Sequence, residues 1–318
     1  MHQHDIWKSD RPLLGTNGTE AMAVLLEAGQ GGLVDYLKVG PFMGQEAVAR
    51  LARSYPLLLH LDDTLSSNAL RSAKTVERLR AWIALTGTPW VSEHIGFGVA
   101  DVTLDEALIT QPTSSMLSRQ EALERIVGNA RYLAAHLPVP LLLENIPLFP
   151  NLAHWHVCEP DFIRQVLDET GCDLLLDLAH ARVSANLLGY DVHDYIAALP
   201  LDRLVEIHLS GPRPARELDA HRRKRVEENA RSVAHLLRFS EESLVDAHET
   251  LREEDYELLQ WVLAQAKPRA ISLEYFYAAK PLRQQLEQLN VLLKRDRELS
   301  FGMPTLGAGV DHAIMNEP

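Results

Sequence analysis

Histidine and carboxylate residues follow short apolar runs at several points along this chain of 318 residues. The runs read PLLLHL, WVSEHI, PLLLENI, LLLDLAH, LVEIHL and ISLEYF. Their polar members include His60, His94, Glu144, Asp177, His180, His208 and Glu274. Such short apolar runs are typical of strands buried on both faces, where a charged group is costly unless it is paired or bound to metal. The pattern therefore predicts one site that holds a cluster of metal ions.

A second pattern, in SLVDAHET, adds Asp246 and His248 to this set. In an extended segment, residues two apart point to the same side, so both side chains could reach one metal ion. The nine candidates comprise five imidazoles and four carboxylates without a cysteine. Such donors suit iron, manganese or zinc. Nine ligands are too many for one ion, and bridging carboxylates would let them hold two or three.

Other polar residues are expected near the ligands without binding metal themselves. Asn145 directly follows one candidate ligand, and Asn186 lies in the segment after another. Both are expected to contact either the ligands or the substrate. Glu93 precedes His94 and should face the opposite side of its strand, in the barrel wall. No catalytic residue beyond the metal ligands can be assigned from the sequence.

The segments that carry these residues alternate with amphipathic helical patterns. One helix signal is the capping-box spacing of Ser118 and Glu121. Eight successive βα units predict an α/β fold, a (β/α)8 TIM barrel, whose active site lies at the C-terminal ends of the strands. The candidate ligands stand at those ends. The strand candidates are residues 12–16, 33–39, 56–61, 89–95, 139–145, 173–178, 203–209 and 270–276.

Residues 212–241, between the seventh and eighth predicted strands, belong to a connection that is too long for one βα unit. This insertion is polar, is predicted to be helical, and carries many basic residues, among them Arg222 and Arg223. One interpretation is a solvated helix face, and the other is a basic lid that engages an anionic substrate or peptide. We expect residues 1–295 to form a single catalytic domain, and 296–318 to form a C-terminal tail in which His312 is incidental.

Composition narrows the class of protein further. The chain is 46% hydrophobic and 24% charged, which is ordinary for a globular protein. A formal net charge of −13 argues against a duplex nucleic acid partner, which requires a basic surface. No apolar stretch approaches the roughly 20 residues of a membrane span, and the first residues contain no apolar signal core. With Cys158 and Cys172 as its two cysteines, the chain is expected to be reduced and cytoplasmic.

Six motifs then occur in an order that resembles a known family. They are SEHIGFG (92–98), LLENIP (142–147), LLLDLAHARVSANLLGYD (174–191), EIHLSG (206–211), DAHE (246–249) and SLEYF (272–276). In this order they resemble the multinuclear non-haem iron-dependent oxidative enzymes, the MbnB/TglH-like family. The resemblance spans about residues 56–276, and the order of the motifs is more telling than any one motif.

The resemblance implies a barrel that holds two or three iron ions, as Fe2+ or Fe3+, with O2 as co-substrate. Enzymes of this family oxidise residues, often cysteine, in ribosomally made precursor peptides. The resemblance therefore implies a precursor peptide as partner. It is also compatible with a small peptide-recognition protein as a second partner. His180 stands where the common family pattern has an asparagine. By motif position, iron ligation carries over to His60, His94, Glu144, Asp177, His208, Asp246, His248 and Glu274.

Three features depart from the family pattern. The N-terminal segment LLGTNGTEAMAVLLEAGQGGLVDYLKVGPF (13–42) differs from the usual opening of the family. Lys38 stands near the end of the second predicted strand, where an acidic residue would be expected, and the 212–241 insertion is unusual. We expect Lys38, Arg222 and Arg223 to contact the substrate or the ligands, and a cysteine substrate is not assumed.

Other classes of protein also place His, Asp and Glu at barrel strand ends. A three-zinc phosphodiesterase resembling endonuclease IV and a metal-dependent sugar isomerase are the main alternatives. The net charge argues against the nuclease and leaves the isomerase open. A non-catalytic protein whose metals only hold the barrel together is a third possibility, although structural metal sites are usually closed and smaller.

Overall fold

A computed structural model describes residues 6–104 and 110–293, and its centre is a closed barrel of eight parallel strands. Around the barrel the strands follow the order β1, β12, β9, β8, β7, β4, β3, β2. Each of the eight predicted strand regions overlaps one of them, so the predicted TIM barrel is confirmed. Along the chain the strands are β1 (Leu13–Asn17), β2 (Tyr36–Val39), β3 (Leu57–His60), β4 (Val91–His94), β5 (Val102–Leu104), β6 (Thr110–Pro112), β7 (Leu141–Glu144), β8 (Asp173–Asp177), β9 (Leu204–Leu209), β10 (Gly211–Pro214), β11 (Leu244–Glu249) and β12 (Ala270–Leu273).

Amphipathic helices connect the strands and bury their apolar faces against the outside of the barrel. The predicted capping box is present, because Ser118 Oγ accepts from Glu121 N at 3.2 Å and the Glu121 carboxylate accepts from Ser118 N at 2.9 Å. No helix among the described residues is long and apolar enough to span a membrane. The helices are α1 (Glu20–Glu27), α2 (Gln45–Ala52), α3 (Ala73–Thr86), α4 (Arg119–His136), α5 (Pro160–Thr170), α6 (Leu178–Leu188), α7 (Val192–Ala197), α8 (Ala220–Ser232), α9 (Glu253–Leu263) and α10 (Ala279–Leu292).

The barrel interior changes from apolar to polar along the strands. Near the N-terminal ends Gly15 leaves room for the Tyr36 ring, which a Cβ at that glycine would approach to 2.3 Å. Because side chains alternate along a strand, a residue two positions after an inward-pointing residue also points inward. Towards the C-terminal ends of the strands these inward-pointing residues are polar. An apolar floor therefore lies beneath a polar layer at the C-terminal ends. The floor comprises Trp7, Leu13, Tyr36, Leu58, Trp90, Leu142, Leu175 and Ala270.

The long connection between β9 and β12 differs in part from its predicted helical structure. Residues 211–214 form strand β10 and α8 covers Ala220–Ser232, so the predicted insertion starts as a strand. The segment with Asp246 and His248 is extended, as predicted, because it forms β11, which pairs antiparallel with β10. This two-stranded ribbon stands outside the barrel sheet. The tail with His312, and the predicted domain boundary at 295, lie outside the described residues.

Candidate metal centre

Strand register brings the predicted ligands of the barrel side by side at its C-terminal end. His94 on β4 is level with Glu144 on β7. Asp177 on β8 is level with His208 on β9. His60, at the end of β3, donates to or accepts from Ser92 of β4 at 2.9 Å. The sheet thus places ligand-type side chains from five neighbouring strands close together at one end of the barrel.

Glu144 is a member of two groups of side chains whose ligand atoms are close enough together to bind a metal ion. The ligand atoms of His60, His94 and Glu144 lie within 4.8 Å of one another, as do those of Glu144, Asp177 and His208. Glu144 Oε2 is 3.6 Å from His60 Nδ1 and 3.8 Å from His94 Nε2. Glu144 Oε1 is 3.3 Å from His208 Nδ1. Each carboxylate oxygen faces a different group, which is the arrangement of a carboxylate that bridges two ions.

Two buried carboxylate oxygens of the site have no hydrogen-bond partner among the described residues, Glu144 Oε2 and Asp177 Oδ2. Buried oxygens of this kind are normally satisfied, because an unpaired buried charge is costly. Ligand atoms about 2 Å from a shared ion lie roughly 3–4 Å from one another, which is the spacing seen here. The residues therefore fit divalent metal ions with nitrogen and oxygen ligands.

Asp177 also caps helix α6, and this fixes its orientation. Its Oδ1 accepts from the backbone N–H of His180 at 2.7 Å, which leaves Oδ2 directed into the site. Asn145 holds the same strand end through two bonds to the Asp177 backbone, at 2.9 and 3.0 Å. Asn145 thus contacts the backbone of a predicted ligand, and its role in supporting the ligands or binding substrate stays a prediction.

A third group of predicted ligands includes the ribbon residues. His248 Nε2 is 3.1 Å from Asp246 Oδ2, and His248 Nδ1 is 3.5 Å from Glu274 Oε2. His180 links this group to the others, since its Nε2 is 3.6 Å from Asp246 Oδ2 and 3.7 Å from Asp177 Oδ2. His248 has a φ of 49°, a strained value for a residue with a side chain. The fold brings all nine predicted ligands together, and their binding of metal stays a prediction.

The histidines of the site differ in pKa because their electrostatic surroundings differ. Burial lowers the pKa of His60 well below its usual range and that of His94 to about 4, so both rings are neutral and can ligate a metal. At His180 burial disfavours the charged ring, but the carboxylates of Asp177 and Asp246 raise its pKa to about 10. Without metal, His180 therefore carries a proton between two carboxylates.

The central carboxylate is ionised although it is buried. Burial favours the neutral acid, but His208 and His94 hold the pKa of Glu144 well below its usual range. Burial likewise favours the neutral form of Asp246, but His248 and His180 hold the pKa of its carboxyl well below its usual range. Ionised carboxylates and neutral imidazoles are the forms that bind metal.

Lys38 lies inside the ligand set and not at its rim. It is 5% exposed, and its Nζ contacts Glu274 Oε1 directly. The same nitrogen is 3.4 Å from both ring nitrogens of His208. Burial lowers the pKa of Lys38, while the carboxylates of Glu144, Glu206 and Asp177 raise it. Lys38 thus contacts two predicted ligands, Glu274 and His208.

The remaining predicted contact residues differ in how close they come. Arg222 Nη2 donates to the backbone oxygen of Asp246 at 3.0 Å and so touches the ribbon. Arg223 Nη1 donates to the backbone oxygen of Arg216 at 3.5 Å, away from the ligands. Asn186 Oδ1 accepts from Leu244 N at 2.9 Å, which anchors the start of β11.

Three buried residues of the site region have roles that the sequence interpretation missed or left general. Glu206 accepts from Trp90 Nε1 at 2.8 Å and contacts His208 Nε2 at 3.0 Å, and its position two residues before His208 was a usable signal. The Glu93 carboxylate accepts hydrogen bonds from the backbone N–H of His94 and from that of Asp63, in the loop after β3, both at 2.8 Å. His154 contacts the Pro147 oxygen through Nδ1 at 2.7 Å, and no pattern in the sequence predicted its burial.

Comparison with known proteins gives a family and a fold. A family model described as RiPP precursor modification enzyme MbnB/TglH/ChrH matches residues 35–294. UPF0276 proteins of Caulobacter vibrioides and Pseudomonas aeruginosa are 32% and 31% identical over 171 and 194 residues. These matches cover 52% and 58% of this chain, and 59% and 66% of the two relatives, so the chain spans less than two thirds of each.

Solved structures share the barrel at low sequence identity. A D-tagatose 3-epimerase-like protein is similar with a TM-score of 0.54 and 14% identity, over 89% of this chain and 97% of that one. Endonuclease IV from Thermus thermophilus is similar with a TM-score of 0.50 and 18% identity, over 89% and 99% of the two chains. At these identities the similarity concerns the fold alone.

Proposed function

The chain belongs to the MbnB/TglH/ChrH family of RiPP precursor modification enzymes, and from that premise we propose that it oxidises a residue of a ribosomally synthesised precursor peptide with O2 at a multinuclear iron centre. The observation that supports this most is the position of Glu144, whose two oxygens face two separate ligand groups. A single-ion enzyme has no need for such a carboxylate. The absence of thiolate from both groups is compatible with iron and argues against copper(I) or an iron–sulfur cluster.

Bound iron would supply the activation of O2, which protein side chains do not perform by themselves. The chain supplies the surroundings. The layer beneath the ligands, with Trp90 and Tyr36, fills the barrel floor, so water and substrate would approach from the C-terminal end. On that side His94 has a side chain 36% exposed, whereas Glu144 and His208 are buried. The substrate would therefore approach next to His94.

Aromatic residues at the same end of the barrel suit a peptide substrate. Phe276 and Tyr277 follow β12 and are 41% and 53% exposed. The Phe276 ring is 4.9 Å from the His248 ring, and Tyr277 donates to the Ala247 oxygen at 2.8 Å. Exposed aromatic side chains beside a buried polar centre are common contacts for peptides. This placement supports, in our proposal, a peptide that passes over the ribbon to reach the metal ions.

Metal analysis joined to O2 measurements tests the proposal. The chain would be produced in iron-supplemented medium without other added metal, and its metal content would be measured together with Mössbauer spectra. We expect at least two irons per chain with magnetic coupling between them. O2 uptake should rise when a short peptide encoded next to the gene is added, and the peptide should lose mass as hydrogen or gain it as oxygen.

Stoichiometric zinc or manganese without O2 uptake would contradict the proposal. It would favour the phosphodiesterase or isomerase interpretation of the same ligand set. To separate these outcomes from poor metal loading, the same protein would be stripped with chelator and reloaded anaerobically with Fe2+, Zn2+ or Mn2+. Only the Fe2+ form should consume O2.

A further inference from the structure

Lys38 is buried in a part of the barrel that offers few ligands. Its neighbour β1 contributes Gly15, which has no side chain, and Asn17, which is neutral and level with Lys38. The lysine side chain spans β1 at the level of Asn17 and reaches Glu274 after β12. Lysine usually keeps its ammonium in water, so a fully enclosed one needs fixed anionic partners.

Glu274 is shared between this lysine and the third ligand group. Its Oε1 contacts Lys38 Nζ and is 3.1 Å from His208 Nδ1. Its Oε2 is 3.5 Å from His248 Nδ1. A divalent ion bound by Glu274, His248 and Asp246 would therefore be separated from the Lys38 ammonium by the Glu274 carboxylate alone. Like charges at that distance in a poorly solvated site repel strongly.

The two groups around Glu144 are arranged differently. Their ligands come from β3, β4, β7, β8 and β9, and Lys38 contacts only His208 among them, at 3.4 Å. Glu144 and Asp177 each keep one oxygen without a hydrogen-bond partner in the described part of the chain, whereas Glu274 is paired. Unpartnered carboxylate oxygens thus lie on the Glu144 side of the barrel, and a fixed cation lies on the other side, where the unpartnered ligand atom among the described residues is His248 Nδ1.

We propose that the Lys38 ammonium takes the place of a third metal ion, so that this chain binds two metal ions at its centre. Lys38 is a specificity-determining residue in this arrangement, since it sets the number of ions and does not itself ligate them. The inference rests on the proposed metal centre. It goes beyond that proposal because it assigns the two ions to the Glu144 side and leaves the ribbon residues without a tightly bound ion.

Metal stoichiometry in variants of Lys38 tests the inference. The wild type, Lys38→Met and Lys38→Glu would be stripped, reloaded anaerobically with excess Fe2+, desalted and analysed for iron per chain. We expect two irons in the wild type and three in both variants, because the repulsive charge is gone and Glu274 is free. Lys74→Met, which changes an exposed lysine on α3, should retain two. Circular dichroism would establish that each variant is folded.

A double variant keeps the inference testable if an unpaired Glu274 prevents folding. Lys38→Met/Glu274→Gln removes the ammonium and its partner together, and it should bind two irons like the wild type. Three irons in the wild type, two in both folded single variants, or fewer than two in Lys38→Met or the double variant would overturn the inference. The last result would identify Lys38 or Glu274 as a ligand of the two-ion centre. A wild type that binds no iron would instead contradict the proposed function.

Discussion

At the scale of single residues, Glu144 has the largest role in the candidate site. It is buried, ionised and placed so that its two oxygens face different groups of ligands. The other ligands of these groups belong to one group each. Loss of Glu144 should therefore affect both ions, whereas loss of His60 or His208 should affect one ion more than the other.

Replacing Glu144 by glutamine tests this expectation with little change in shape. We expect Glu144→Gln to lose most of its bound iron, because an amide supplies a weak neutral ligand in place of a bridging anion. Iron per chain after anaerobic loading and desalting measures the effect. Glu257→Gln, which changes an exposed residue of α9, serves as the control. Full iron content in Glu144→Gln would show that the bridge is not needed.

The two cysteines should be inert in the folded protein. Burial raises the pKa of both Cys158 and Cys172, and the reactive form of a cysteine is the thiolate. We expect Ellman's reagent at about pH 8, near the ordinary pKa of a free thiol, to react with neither cysteine in the native protein. Both should react after unfolding in guanidinium. Rapid reaction of one thiol in the native state would contradict the burial seen here.

At the scale of elements, helix termini and the ribbon position the ligands. The N-terminus of α6 orients Asp177, and the β10–β11 ribbon carries Asp246 and His248 to the barrel mouth. Helix α8 lies over the ribbon, but its basic residues are largely paired with its own acids, such as Arg225 with Glu228 at 2.8 Å. This pairing favours a solvated face for most of α8, and Arg222 is the member that contacts the site.

Neighbouring arginines of α8 should therefore differ in effect. Arg222→Met removes the donor to the Asp246 oxygen, and leaving that carbonyl unpaired costs about 1–3 kcal/mol. We expect looser ribbon placement and a several-fold lower rate of peptide-dependent O2 uptake. Arg223→Met, one residue along the same helix, should behave like the wild type. Equal loss in both variants would instead support the basic-lid interpretation, in which the charge of α8 attracts the substrate.

The capping box of α4 should stabilise the fold without touching the site. Ser118→Ala removes the acceptor for the Glu121 N–H, and loss of such a cap costs about 1 kcal/mol. Chemical denaturation of the metal-free protein would measure this decrease. Ser115→Ala, at an exposed position just before the helix, should cause a much smaller change. Iron content should be the same in both variants.

At the scale of the whole molecule, barrel closure collects residues that are far apart in the chain. The carboxylate-rich centre is then a concentration of negative charge within a chain whose formal net charge is −13. Bound cations would relieve repulsion among Asp177, Asp246 and Glu144, so metal binding and stability should be linked.

Metal loading should accordingly raise the thermal stability of the entire barrel. An ion that binds only the folded state, at a concentration of about 100 times its dissociation constant, adds about 2.7 kcal/mol. We expect a higher Tm in anaerobic Fe2+ than in chelator, measured by differential scanning fluorimetry, and a much smaller rise in Glu144→Gln. An equal rise in the two proteins would indicate that the ions bind elsewhere on the surface.

The sequence by itself determined the eight strands, the capping box of α4 and the identity of the nine candidate ligands. These depend on local regularities, namely short apolar runs, alternation along a strand and residue spacing at a helix start. It did not determine that 211–214 would be a strand, because β10 exists only through its pairing with β11, which follows a long intervening segment.

Only the tertiary structure decided how the candidate ligands divide into groups. That Glu144 faces two groups, that Glu206 holds His208 from below, and that Lys38 reaches Glu274 depend on distances across the barrel. No spacing along the chain encodes such distances, because strands far apart in sequence meet only when the sheet closes. Lys38 is level with the neutral Asn17 on the neighbouring strand and reaches Glu274 beyond it, and this is visible only in the folded chain.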